Sequence, residues 1–225
     1  MSKKKKWALT RDTLKSQPLP EWLQERIDSG ELSLLDEEAR QALLEQTLSS
    51  YLKDQPLWIF AYGSLMWNPT FHFDQVEPCT LDGFHRKFCI RDVIARGTSA
   101  VPALMLGIEE GGKCEGLGYQ IPVGEVKNEL ELLWNREMLT GVYVPTWVEI
   151  ITSSKEVLPA LTFTMNKSHD NYLPGLSRAQ VSHSLGIASG PLGQNSDYLF
   201  QLVDRLSELG IHDVAMSELK QALGK

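Results

Sequence analysis

A carboxylate set among apolar positions is the first chemical signal in this chain. Residues 125–139 carry helical spacing. At about 100° per residue, with Val126 at zero, Leu130, Leu133 and Trp134 fall at about 40°, 340° and 80° and define one apolar stripe. Glu137 falls at about 20°, in the middle of that stripe. Glu125, Glu129 and Glu131 are expected to project away from it. A carboxylate aimed inward must be paired, hydrogen-bonded or protonated, because burying a bare charge is prohibitive. Two readings stand level on spacing alone. One is a buried ion pair with Arg136 or a distant arginine. The other is a general acid/base whose pKa is raised by desolvation.

A second signal is Tyr62-Gly63-Ser64-Leu65-Met66-Trp67-Asn68-Pro69, directly after the apolar run Leu57–Tyr62. Glycine at a strand end lets the backbone turn sharply and approach a ligand, and successive N–H groups there form an anion-holding nest. An ordinary strand-ending turn explains Gly-Ser equally well; the neighbouring Tyr, Trp and Asn are costly for one. Arg86, Arg91 and Arg96 supply guanidinium forks suited to carboxylates. Structural pairing is the better reading for Arg86. Gly190-Pro191-Leu192-Gly193-Gln194-Asn195 reads as a turn with Asn195 or Ser196 capping a helix.

Other chemistries leave no trace. There is no G-x-S-x-G elbow, H-E-x-x-H helix, G-x-x-x-x-G-K-[ST] loop or G-x-G-x-x-G fingerprint. His72, His85, His169, His183 and His212 show no metal-ligand spacing, and Cys89 reads as a small core residue in a strand. No metal and no cofactor are expected.

The elements that must position these residues divide the chain in two. Residues 1–56 read as short amphipathic helices broken at Pro18, Pro20 and Gly30, with a longer helix over Ser33–Leu52. They form an N-terminal helical extension to a domain over residues 57–225. In that domain strands are expected at Leu57–Tyr62, Phe84–Ile90, Pro145–Ile151 and Val157–Met165. Ala103–Ile108 is expected to form a hairpin with Cys114–Ile121 across Glu110-Gly111-Gly112. Helices are expected over 177–189 and 195–209, with a short one after them. The class is α+β: a small mixed β-barrel with flanking helices.

The chain has 225 residues, 22 Lys plus Arg against 29 Asp plus Glu, and a formal charge of −7. That balance argues against coating nucleic acid. No run approaches the roughly 18 apolar residues of a membrane span. Lys3 to Lys6 read as a solvated end, with no apolar stretch after them to make a signal peptide. Three cysteines without a C-x-x-C pair fit a reducing compartment, so the cytoplasm is the expected location.

From Trp58 to about Leu202 the motifs resemble the ChaC-type, glutathione-specific γ-glutamylcyclotransferases, and bacterial members closely. They are W-I-F-A-Y-G-S-L-M-W-N-P (58–69), G-F-H-R-K-F-C (83–89), R-G-T (96–98), L-W-N-R-E-M-L-T-G-V-Y (133–143), P-T-W (145–147) and G-P-L-G-Q-N-S-D-Y-L-F (190–200). The resemblance implies cofactor-free cleavage of glutathione to 5-oxoproline and Cys-Gly on a small β-barrel. It puts the family's catalytic glutamate on Glu137. Its substrate-holding loop falls on Ala61, Tyr62, Gly63, Ser64, Leu65 and Met66, with Ala61 standing where the family usually has Gly. Arg96, Tyr143 and Tyr198 are further substrate-binding candidates, Arg96 for a carboxylate and the tyrosines as hydroxyl donors. A cyclotransferase for other γ-glutamyl amino acids or amines, and a non-catalytic regulator on the same fold, remain alternatives.

Overall fold

The computed structural model describes residues 9–15, 19–51 and 54–224; Lys3 to Lys6, Pro18 and Leu52 lie outside them. Five strands close into a barrel: β1 (Leu57–Ala61), β2 (Gln75–Asp92), β3 (Ala103–Ile121), β4 (Tyr143–Thr152) and β5 (Val157–Met165), in the spatial order β1-β3-β2-β4-β5. The β1–β5 pair that closes the ring is parallel, and the other pairs are antiparallel. Every residue of β1 is buried, as its unbroken apolar run requires of a strand covered on both faces.

The strands of the centre are longer than their sequence suggests. Ala103–Ile108 and Cys114–Ile121 are two halves of one strand, β3, and do not pair with each other. β2 runs beside the whole length: Phe84–Asp92 pairs with the first half, and Gln75–Asp82 with the second. Gly111 and Gly112 do have the positive φ (103° and 74°) that a tight hairpin needs. Here they lie across from Gly83 (φ 82°), where the register slips between Asp82 and Phe84. The paired glycines therefore bend a two-stranded ribbon, as a bulge does, and reverse nothing.

Helices cover the barrel. α1 (Arg11–Lys15), α2 (Glu21–Asp28) and α3 (Glu37–Ser49) precede β1. The helix expected from Ser33 starts later, because Asp36 caps it by accepting the Ala39 N–H at 3.2 Å. α4 (Val126–Glu137) buries Leu130, Leu133 and Trp134 as the stripe demands, with Trp134 edge-on to Phe163 at 5.7 Å. Glu129 departs from expectation: it is 0% exposed. The wheel places it at one margin of the stripe, and α1 covers that margin. α5 (Arg178–Ile187) opens with a capping box between Ser177 and Gln180. The two-residue strands β6 (Ser189–Gly190) and β7 (Gly193–Gln194) form the turn before α6 (Asn195–Glu208), and α7 (Val214–Ala222) ends the fold. Asn195 is not a cap. Its amide is buried and pairs both ways with the Leu104 backbone at 2.8 Å, tying α6 to β3.

Cys79, Cys89 and Cys114 are free and buried, and burial pushes their thiols up to about 11, 12 and 11. At neutral pH each is a protonated core group and a poor nucleophile. Native protein is thus expected to resist iodoacetamide and to take up label at all three positions once denatured, as intact mass will show. Rapid labelling of the native chain would contradict this packing.

Candidate active site

At the end of the barrel where β1 finishes, the chain turns through Tyr62-Gly63 into a single 3-10 turn over Ser64–Met66. The first N–H groups of any helical turn have no carbonyl behind them within the turn; that of Ser64 donates to the Tyr198 hydroxyl oxygen. This turn walls an open cleft of about 310 Å³, mouth included. Glu137, at the end of α4, faces the turn across the cleft; Leu106 of β3, Tyr143 of β4, Phe163 of β5 and Tyr198 of α6 complete the lining.

The structure brings together Ala61, Tyr62, Gly63, Ser64, Leu65, Glu137, Tyr143 and Tyr198. Met66 is elsewhere: it is buried in the core, and its carbonyl accepts from Arg205 Nε at 3.1 Å and the Tyr119 hydroxyl at 3.3 Å. Arg96 does not line the cleft either. Its guanidinium donates to the Gln194 carbonyl at 3.0 Å, just before α6. Its loop is built on Asp92, whose carboxylate accepts the N–H groups of Ile94, Ala95 and Arg96 at 2.9, 3.0 and 2.6 Å. Arg91 donates its backbone N–H to Asn171.

The two readings of Glu137 prove compatible. Its Oε1 lies 2.9 Å from Arg136 Nε, and the carboxylate side chain retains 13% exposure through the mouth. Burial raises its pKa, and the attraction and hydrogen bond of Arg136 oppose that rise without cancelling it. It is therefore an ion-paired carboxyl that takes up a proton more readily than an ordinary glutamate.

The tyrosine hydroxyls are spoken for in a way their sequence positions do not reveal. Tyr143 donates to the Leu106 carbonyl at 2.8 Å and Tyr62 to the Phe163 carbonyl at 2.7 Å. A carbonyl can only accept, so both phenols spend their protons on the barrel rim and turn lone pairs to the cleft. Tyr143 is thus an acceptor toward a ligand, where a donor was expected. Burial, with Glu137 adding to it, holds both phenols well above the ordinary range, so they stay protonated. Tyr198 sits over Gly63, where a Cβ would come within 3.0 Å of its hydroxyl, and Trp67 packs edge-on against its ring at 5.2 Å. Glycine at 63 is what lets that hydroxyl close on the turn.

Arg136, expected only as a partner of Glu137, has a wider role. Its guanidinium fork reaches Ser64 Oγ at 2.8 Å, Thr70 Oγ1 at 3.2 Å, the Asn68 carbonyl and Glu137. Adjacent helix residues do not ordinarily face one another. The signal that was available is a pair of opposite charges at the end of an otherwise apolar stripe.

A family model described as ChaC-like protein matches residues 57–225, three quarters of the chain. The chain belongs to the ChaC-like family. Among its relatives, the glutathione-specific γ-glutamylcyclotransferase of Escherichia coli (strain K12) is 40% identical over 188 residues, spanning 84% of this chain and 81% of that one. The γ-glutamylcyclotransferase 2-3 of Arabidopsis thaliana is 31% identical over 173 residues, 72% of this chain and 86% of its own. A crystal structure of a yeast γ-glutamylcyclotransferase specific to glutathione superposes with a TM-score of 0.69 at 19% identity, covering 76% of this chain and 96% of that one. The yeast structure supports the fold; the sequence relatives and the model support the family. Among the described residues, no group of three or more His, Cys, Asp and Glu is placed to hold a metal ion, and no helix is long and apolar enough to cross a membrane.

Proposed function

We propose that this chain is a glutathione-specific γ-glutamylcyclotransferase with Glu137 as its general base and acid. The observation that carries the reading is the desolvated carboxyl of Glu137 facing the Tyr62–Leu65 turn across the cleft, in a chain of this family. Glutathione as the substrate is supported by the glutathione specificity of the Escherichia coli relative. Residues 57–225 are the catalytic domain in this reading.

In the reaction the γ-glutamyl α-nitrogen forms a bond to its own γ-carbonyl carbon, and the bond from that carbon to the cysteinyl nitrogen breaks. The substrate supplies the nucleophile. At neutral pH two protons must leave the α-nitrogen and two must arrive at the departing nitrogen, so the balance closes with no outside reagent. Glu137 ferries them one at a time, and a raised pKa suits it to both directions. The lone pairs of Tyr62 and Tyr143 receive the α-ammonium. The Leu65 N–H, with the Tyr198 hydroxyl that closes on the turn, holds the oxyanion as the γ-carbon becomes tetrahedral. Confining the flexible arm in a small cleft supplies the orientation that ring closure needs. Arg96, outside the cleft but within electrostatic reach of Tyr198, attracts a substrate carboxylate that extends beyond it. Three free thiols fit a reducing cytoplasm.

Incubation of the purified chain with reduced glutathione is expected to release 5-oxoproline and Cys-Gly in equal amounts. Parallel incubation with γ-glutamyl-alanine is expected to give little. Folded protein that releases no 5-oxoproline from glutathione would remove this reading.

A further inference from the structure

Glu129 and Arg136 are seven residues apart on α4, which sets them at about 20° to one another on the same edge of the helix. Both reach the same loop. Arg136 takes its start, through the Asn68 carbonyl and Thr70 Oγ1. Glu129 takes its end, accepting the His72 N–H at 2.9 Å. Between them Thr70 is held at φ 59°, a left-handed conformation unusual for a β-branched residue. Something must hold a loop in such a shape.

What holds it from outside is the segment before β1. Arg11 on α1 forks onto the Glu129 carboxylate, its Nη2 at 2.6 Å from Oε1, and its Nη1 also lies 3.4 Å from the Thr70 carbonyl. The Leu9 carbonyl accepts from Asn68 Nδ2 at 2.9 Å. Burial alone would raise the Glu129 carboxyl, but Arg11 and the His72 N–H bring it below the usual range. Inside the loop, the same Arg136 guanidinium that grips Asn68 and Thr70 also bonds Ser64 Oγ and Glu137.

We propose that Arg11, which lines no part of the cleft, is a positioning residue for Ser64 and Glu137, acting through loop 68–72 and Arg136. This rests on the catalytic reading given above. The contact chain runs from Arg11 to Thr70 and Glu129, from that loop to Arg136, and from Arg136 to both walls of the cleft. The rest of the same segment behaves alike: Arg26 donates to the Val93 carbonyl, next to the loop that carries Arg96, and Leu35 to the Leu139 carbonyl, in the loop that follows Glu137 at the end of α4. The segment is thereby a clasp on the loops around the site. Catalysis is sensitive to such placement, since a misfit of about 1 Å can cost roughly a hundredfold in rate.

Arg11→Ala alone would strand a buried carboxylate, so the decisive variant of the full chain is the double Arg11→Met/Glu129→Gln. It removes both charges together, a change that buried pairs often tolerate. Its kcat on glutathione is expected to fall by roughly ten- to a hundredfold, with KM nearly unchanged. Arg11→Lys, which keeps charge but not the fork, is expected to fall between the two. Lys15→Ala, exposed on the same helix, is expected to match wild type.

A second readout separates positioning from simple loss of stability. The ionisable groups facing Glu137 are Arg136 from its own helix, Tyr62 after β1, Tyr143 from β4 and Tyr198 from α6. Of these, only Arg136 lowers its pKa. If loop 68–72 relaxes and Arg136 with it, the acid limb of kcat moves to higher pH. Hydrogen exchange should quicken in peptides covering residues 62–72 and stay unchanged in the barrel strands. Wild-type kcat, acid limb or exchange in the double variant, or an equal loss in Lys15→Ala, overturns the proposal. If wild type itself makes no 5-oxoproline, the catalytic reading fails separately. Exchange across 62–72 then still decides the mechanical link: faster supports it, unchanged overturns it.

Discussion

Glu137→Gln is expected to fold as wild type and to lose turnover by about 10²–10⁴-fold, the range for removing a general acid/base. The amide oxygen can still accept from Arg136 Nε, now at 2.9 Å from Oε1, so cleft shape is kept while proton uptake is lost. Ring closure fails at both ends, because the α-nitrogen keeps its proton and the departing nitrogen receives none. In wild type, kcat/KM should fall toward acid with a midpoint above the ordinary carboxylate value, since only ionised Glu137 can act as base and burial raises its pKa.

The same shift carries a stability signature of known sign. A carboxyl whose pKa is higher folded than unfolded binds protons more readily in the native state. Its stabilising contribution is full below the unfolded value of about 4.3 and is lost as pH rises through the folded one. Wild type should therefore lose stability over that window while Glu137→Gln does not, and the difference in Tm between them should grow with pH. Near-wild-type 5-oxoproline release by the variant would end the assignment. A Tm difference flat across the window would mean that Glu137 is not desolvated as described.

Arg86→Met is expected to be the most destabilising single change outside the cleft. The Arg86 side chain is 2% exposed and joins three parts of the fold. Its Nε donates to the Tyr62 carbonyl at 2.8 Å and its Nη2 to the Glu115 carbonyl. Its Nη1 lies 2.6 Å from Asp213 Oδ2, while Asp213 Oδ1 caps α7 by accepting the Met216 N–H at 3.1 Å. Methionine keeps most of the stem and none of the donors, leaving two carbonyls and a half-buried carboxylate without their partner. Breaking a buried pair in this way costs about 3–5 kcal/mol. For a chain of this size that is roughly 6–20 °C in Tm. Because one of the orphaned carbonyls belongs to Tyr62, activity at a temperature where the variant is folded should fall too. A loss below about 1 kcal/mol, as expected of an exposed pair, would show that Arg86 does not bind the turn to the barrel.

Period and punctuation in the sequence carried much of this architecture. The apolar run at 57–61 is a strand buried on both faces because no residue in it could face water. The stripe through Leu130, Leu133 and Trp134 placed Glu137 inward, since side-chain direction on a helix follows directly from spacing. The strand Val157–Met165 was equally legible, being local. The motif set from Trp58 to about Leu202 carried the family resemblance.

Tertiary structure alone decided the rest, because those facts depend on partners distant in the chain. Gly111-Gly112 carries the same local signature for a hairpin turn as for a bend in a long ribbon; only β2, already lying alongside, selects the bend. Glu129 sits at the margin of a wheel, and Arg11, 118 residues away, decides that the margin is buried. The protons of Tyr62 and Tyr143 point where carbonyls at Phe163 and Leu106 happen to lie. Glu137 is inward by sequence, but that it is both paired with Arg136 and desolvated required the cleft itself. Local spacing sets which way a side chain points, and only the packed fold sets what it meets there.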